Sequence, residues 1–235
     1  MTVDEIMLQL KEFGSETTKK TYLKHGAKEP LFGVKVEDMK KILKKTKKNH
    51  ELSIQLFATG NFDAMYLAGL MADETKITEE QLNKWVDMAY WSWISEYAVP
   101  WVAAETSFGF EIGLNWIKSE KETTASAGWA TLAYFAAVND DLKLDINKYS
   151  QLLDYVAENI HNAQNRVRYV MNGFVIAIGT HVKELNPKAK DIAKKIGIVN
   201  VIMDGTACKV PLATDYITKI EVAGKVGKKR KTARC

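Results

Sequence analysis

Residues 89–105 read AYWSWISEYAVPWVAAE. This stretch holds three of the chain's six tryptophans, two tyrosines, a central carboxylate at Glu96 and a proline four residues later at Pro100. On a helix, Trp93, Tyr97 and Trp101 fall at i, i+4 and i+8 and share a face, with Glu96 and Pro100 on the adjacent row. That spacing reads as packing for Trp93 and Trp101, while Trp91, at the helix start, is less committed to the core. Ser92 is placed to cap the helix. Pro100 has no N–H and crowds the Glu96 carbonyl, so the helix is expected to kink or break there. Electron-rich rings beside a partly desolvated carboxylate can hold a cation.

Working outward, the pattern is helical nearly throughout. TVDEIMLQLKEF (2–13) opens with Thr2 and Glu5 in capping-box spacing. SETTKKTYLKHG (15–26) is a second helix closed by Gly26. VEDMKKILKKTKK (36–48) is a third, with acids in its first turn and lysines in its last, the order the helix dipole favours. Further helices are expected at about 48–58, 61–73, 78–89, 92–105, 108–119, 122–138, 146–162, 165–182, 187–196 and 211–223. The segment GIVNVIMDG (197–205) is read as a link with a short extended piece. Helices pairing every 35–45 residues with short links match the period of HEAT-like repeats. The fold class is therefore all-α: an α-solenoid of antiparallel helix pairs, C-shaped, with a concave groove lined by one helix of each pair. One repeat domain over 1–224 is followed by a basic tail over 225–235.

Charge is segregated along the chain. Residues 1–50 carry 12 lysines against 7 acids, a net +5; residues 51–165 carry 6 lysines against 17 acids, a net −11; residues 166–235 carry 15 Lys or Arg against 5 acids, a net +10. The last eleven residues, KVGKKRKTARC, hold six positive charges and no acid. A basic end on an acidic middle suggests a polyanion met by part of the surface. The tail is expected to be mobile when the protein is alone and to track along phosphate when it is not. In NAQNRVRYVMNGF (162–174), Arg166, Tyr169 and Gly173 fall near one helical face with Arg168 off it; Arg beside Tyr at a helix start suits phosphate contact with stacking.

No apolar run of 18 residues exists, and the acidic N-terminus has no signal-like apolar segment, so no membrane partner is expected and the cytoplasm is the expected location, at the nucleoid if DNA is bound. Two cysteines, Cys208 and Cys235, form no disulfide framework or zinc spacing, and no phosphate-binding glycine loop occurs; neither metal nor cofactor is expected. Cys208 beside Lys209 reads as a small buried residue or an activated thiol.

LFGVKVEDMKKILKK (31–45), the Trp-rich helix ending in VP, and the Arg-rich helix with NGFV occur in an order and spacing that resembles the DNA alkylation repair family, the AlkD-like HEAT-repeat DNA glycosylases. The resemblance covers nearly the whole chain. It implies a helical solenoid whose basic groove grips duplex DNA by its backbone. Active members remove cationic N3- and N7-alkylated purines, using a Trp–Asp–Trp cleft and an Arg on phosphate. Carried over by motif, the first Trp of the pattern falls on Trp91, the catalytic Trp on Ser92, the catalytic Asp on Glu96, the Arg near Gly128 and the second cleft Trp on Phe174. The resemblance thus implies Glu96 as catalytic carboxylate and Trp91, Ser92 and Phe174 at the lesion cleft. DNA-backbone contacts are expected from Lys35, Lys40, Arg166, Arg168, Tyr169, Lys209, Lys228, Lys229, Arg230, Lys231 and Arg234. Ser92 and Gly128 depart from the pattern, which points to a DNA-binding protein of this family, holding duplex, alkylated or branched DNA, with weak or absent base excision. Two other functions fit the residues: an active alkylpurine glycosylase, and a helical-repeat scaffold that binds a protein through its acidic middle.

Overall fold

A computed structural model describes residues 1–203 and 209–235. Among them are thirteen α-helices and no strand. In order they are α1 (Val3–Phe13), α2 (Glu16–Lys24), α3 (Val36–Thr46), α4 (His50–Ala58), α5 (Phe62–Met71), α6 (Glu79–Met88), α7 (Val99–Glu105), α8 (Gly109–Trp116), α9 (Glu122–Val138), α10 (Ile146–Asn159), α11 (Asn165–His181), α12 (Asn186–Ile196) and α13 (Ala213–Val222). Caps start them where the sequence indicates. Thr2 and Glu5 close the expected capping box, Thr78 and Gln81 form a second, and Asn49, Asn61 and Asp145 each accept from the first turn of the following helix. The expected extended piece at 197–205 is not seen over 197–203, which has no regular structure.

The helices form two layers. α4, α6, α8, α10 and α12 make an outer row and α3, α5, α7, α9, α11 and α13 an inner one, packed α4 on α5, α8 on α9 and α12 on α11. Inner helices are flanked on both sides and backed by the outer row, so they read as apolar all round: every residue of α5 is buried. Outer helices bury one stripe, as in α10 with Tyr149, Leu152, Leu153 and Val156 at i, i+3, i+4 and i+7. Close crossings use small residues. A Cβ on Gly128 of α9 would stand 2.5 Å from the Ile117 nitrogen after α8.

The LFGV stretch has its explanation in α5. Asp63, fully buried, accepts from the backbone N–H groups of Phe32 (2.5 Å), Gly33 (3.3 Å) and Val34 (2.8 Å). Gly33 adopts φ +76°, where a side chain would be strained. Burial pushes the Asp63 carboxyl above its ordinary value, and the three N–H donors oppose that push.

The break at Pro100 takes the form of a π-turn. Ile94–Ala98 winds with one extra residue, and the Val99 N–H donates to the Ile94 carbonyl five residues back. The wider turn relieves the clash that a proline ring would otherwise make, and α7 continues with Pro100 in its first turn. Ser92 does not cap; the Trp91 carbonyl accepts from Ile94 and Ser95 and begins the turn.

The tail corrects the expectation of a free arm. Residues 227–235 lie as a strap across the inner row. Gly227 N–H donates to the Thr180 carbonyl, Arg230 N–H to Ala137 and Lys229 Nζ to Ala136; Ala233 N–H reaches Glu105 at 2.7 Å. Arg234 is buried between Glu74 (3.1 Å) and Glu105 (3.4 Å), and Lys229 pairs with Asp141 at 2.6 Å. The physical reason is the architecture. The strap's contacts show that the C-terminal ends of α7, α9 and α11, with Glu74 just after α5, share one edge. There, unpaired carbonyls and dipole ends add to the charges of Glu74, Glu105 and Asp141. A basic segment is held by that edge. Deleting Lys225–Cys235 is expected to lower stability by about 2 kcal/mol, since the ion pairs are partly solvated. That is a Tm drop of about 4–8 °C, read by thermal denaturation; an unchanged Tm would mean the strap is not bound in solution.

Candidate functional site

The π-turn aims its side chains in two directions. Trp91 turns inward: it is 5% exposed, its Nε1 donates to the His25 carbonyl at 2.8 Å, and it meets Phe62 edge-on at 4.7 Å. Trp93 stacks parallel on it at 5.3 Å and stays half-buried at the inner face. Trp91, expected at the cleft, is packing, whereas Trp93 packs against the core as expected and also lines a cavity. Tyr66, Tyr97, Trp101 and Tyr134 continue the aromatic wall around a cavity of about 400 Å³, which the strap closes with Arg230, Ala233 and Cys235.

Glu96 faces the other way along the row. Its side chain is 2% exposed and meets Arg166 of α11 in a two-point pair, Nε to Oε1 at 2.7 Å and Nη2 to Oε2 at 2.6 Å. The planar guanidinium matches the planar carboxylate. The backbone N–H of Arg166 donates to Glu122 at 2.8 Å, and its guanidinium lies 4.4 Å over the Tyr169 ring. Burial pushes the Glu96 carboxyl above its ordinary value, and Arg166 opposes the push without cancelling it. For Arg166, burial pulls the guanidinium down, but Glu96 outweighs it and the group is held more firmly charged.

Beside this pair is a second cavity of about 230 Å³. Tyr169, Gly173, Ala177 and His181, four residues apart along α11, form one wall; Ala130, Ala133, Tyr134 and Ala137 of α9 form the other. Tyr97 and Glu96 stand at one side and Arg230 at another. Burial raises the Tyr134 phenol to about 12, so it remains a neutral hydroxyl. His181 Nδ1 lies 2.7 Å from the Lys228 carbonyl, which can only accept, so Nδ1 carries the proton. Burial, with Lys229 and Arg230 nearby, lowers that ring's affinity for a second proton.

The expected site residues fall out unevenly. Phe174 is not a cleft wall: it is fully buried, edge-on to Trp129 at 5.1 Å and stacked near Tyr149 at 6.0 Å. Ser92 is half-buried beside the π-turn and lines neither cavity. Arg166, Lys229 and Arg234 are held by acids of the protein itself. Arg168 is half-buried away from both cavities, whereas Lys209, Lys228 and Lys231 are exposed. Lys35 precedes α3 and is exposed; Lys40 lies on α3, and neither lines a cavity. Cys208 lies outside the described residues. Cys235 is exposed, with Sγ 3.6 Å from the Tyr66 hydroxyl. Sequence reasoning missed Tyr66, Tyr134 and His181; the four-residue spacing 169–173–177–181 carried a readable signal for the last. Among the described residues, no three His, Cys, Asp or Glu side chains cluster as metal ligands, and no helix is long and apolar enough to cross a membrane.

Comparison places these features among known proteins. The uncharacterized protein Lmo0209 of Listeria monocytogenes is 34% identical over 226 residues, spanning 93% of this chain and 97% of its own. Lin0241 of Listeria innocua is 33% identical over the same spans. A solved structure, described as a new family of proteins related to the HEAT-like repeat DNA glycosylases with affinity for branched DNA structures, superposes with a TM-score of 0.92 at 37% identity, covering all of both chains. The two-layered stack is thus a HEAT-like repeat fold. Residues 6–190 match the DNA alkylation repair enzyme family, and the chain belongs to it.

Proposed function

We propose that this protein holds branched or duplex DNA along its inner face and excises bases weakly or not at all. The observation that carries the reading is the full-length likeness to a protein with affinity for branched DNA. The site geometry supports the second half. A carboxylate accelerates glycosidic cleavage by facing the positive charge that develops on the sugar. Glu96 already faces a cation on both oxygens, so much of its field is spent on Arg166. Neither residue expected as a cleft wall serves as one, since Ser92 is small and Phe174 lies in the core.

Exposed Lys228 and Lys231 on the strap, and exposed Lys209, supply cations that form no ion pair among the described residues. Binding measured by fluorescence anisotropy on junction and paired duplex DNA is expected to weaken steeply with salt. The double variant Lys228→Gln/Lys231→Gln keeps the strap's structural contacts and is expected to reduce the slope of log K against log salt by about two. Salt-insensitive binding, or none, would sink the DNA reading and favour a protein partner. Alkylated base released well above background by the wild type, and lost in Glu96→Ala, would overturn the claim of weak excision.

A further inference from the structure

We propose that the 230 Å³ cavity between α9 and α11 is a site for one unpaired nucleobase of bound DNA, with Arg230 of the strap at its mouth on the phosphate. The proposal deepens the DNA-binding reading above and rests on it.

Four observations carry it. The walls carry side chains no larger than a methyl group at Ala130, Ala133, Gly173 and Ala177, which leaves a slot where α9 and α11 face the cavity. Among the described residues nothing lies within 4 Å of where a Gly173 Cβ would stand, so the slot is open there. Aromatic rings flank the slot at Tyr97, Tyr134 and Tyr169, and base-on-aromatic stacking tolerates any base because each has a π-face. Polar groups then sit where a base has its edges. Glu96 offers an acceptor, and His181, with its proton on Nδ1, leaves Nε2 as a second.

Of the four arginines that the sequence places on the DNA backbone, Arg230 fits the phosphate role best. Its backbone N–H is fixed to Ala137 at 2.8 Å, which locks its position. Its guanidinium lies 5.8 Å over Tyr134 and makes only long contacts through Nη2, 3.3 Å to the Ala233 carbonyl and 3.5 Å to that of Arg234. The remaining N–H groups make no hydrogen bond among the described residues, and the side chain is exposed. A fully paired duplex cannot offer a base to this slot without breaking a pair. DNA with an unpaired base, at a bulge or a branch point, offers one at little expense.

The test uses the full chain and a duplex bearing one unpaired 2-aminopurine, with a paired duplex of equal length as reference. Wild type is expected to bind the bulged DNA about tenfold more tightly and to quench the 2-aminopurine emission by stacking. Gly173→Leu fills the slot. It replaces a helix-interior glycine where the Cβ has room, so folding is expected to be kept or improved. Its bulged-to-paired preference is expected to fall to about one, with the quenching lost. Arg230→Gln is expected to lose part of the preference and about one unit of salt slope while keeping the quenching. A Gly173→Leu protein that keeps both preference and quenching overturns the site, as does an abasic bulge bound as tightly as one carrying a base. A free deoxynucleotide that binds as tightly as the bulged DNA overturns the assignment to DNA. Absence of binding to either duplex refutes the base site, and absence of binding to junction DNA as well refutes the underlying DNA reading; equal, salt-sensitive binding to both duplexes refutes the base site alone.

Discussion

Arg166→Ala is expected to destabilise the protein by about 3–5 kcal/mol, or roughly 6–20 °C in Tm for a chain of this size. The substitution removes the partner from a carboxylate that is 2% exposed. Glu96 then has to take up a proton or stay charged without a partner. The loss should depend on pH, with a sign fixed by linkage. The folded Glu96 carboxyl lies above its ordinary value even with Arg166 present, and loss of the guanidinium raises it further. The folded state then binds more protons than the unfolded one, so stability falls as pH rises from the ordinary value through the raised folded one. The variant should therefore be closest to wild type at mildly acidic pH and furthest from it at pH 8. Glu96→Met/Arg166→Met removes both charges, and most of the lost stability should return. Thermal denaturation of the three proteins between pH 5.5 and 8 checks this. A single variant within 1 kcal/mol of wild type at pH 8 would show that the pair is solvated after all.

The second large effect comes from an attempt to restore the family pattern. Gly128→Arg puts an arginine back where the motif alignment expects one, and it is predicted to give insoluble protein or a loss above about 3 kcal/mol. The new Cβ would stand 2.5 Å from the Ile117 nitrogen and 2.9 Å from the Trp116 carbonyl carbon. Both are backbone atoms, which yield less readily than a side-chain tip. The position belongs to the α8–α9 crossing and not to the groove. Expression, solubility and Tm are the readouts, and a soluble variant with wild-type Tm would mean that α8 can move aside. At Gly173, by contrast, an added Cβ meets no atom of the described residues within 4 Å.

Helix content was legible because it is local. The Thr2 box, the acids and lysines at the ends of α3, and the stripe of α10 each report on residues a few positions apart. Pro100 announced a break, although a π-turn and a kink look alike from sequence. Phe174 was misplaced because it was aligned by motif and not by face. Val167, Val170, Met171, Phe174, Val175 and Ile178 form the buried stripe of α11, which puts Phe174 inside. Gly173, one residue earlier, faces the cavity. The Glu96–Arg166 pair joins positions 70 apart, and nothing in either local pattern names the other. The strap was read as a loose polycation because its charges were counted without the edge that holds them.

That strap also changes how the molecule should fold. In an open repeat stack each unit touches only its neighbours, so stability is close to a sum of local terms and the ends can fray independently. Here the Arg234–Glu74 contact joins residues 160 positions apart and ties the last segment to the first half of the stack. The ring so formed couples distant repeats. Unfolding should approach a single cooperative transition, and the final folding step must wait for a long loop to close. Removing the strap would return the array to one-dimensional behaviour, with a broader melt and faster amide exchange at both ends.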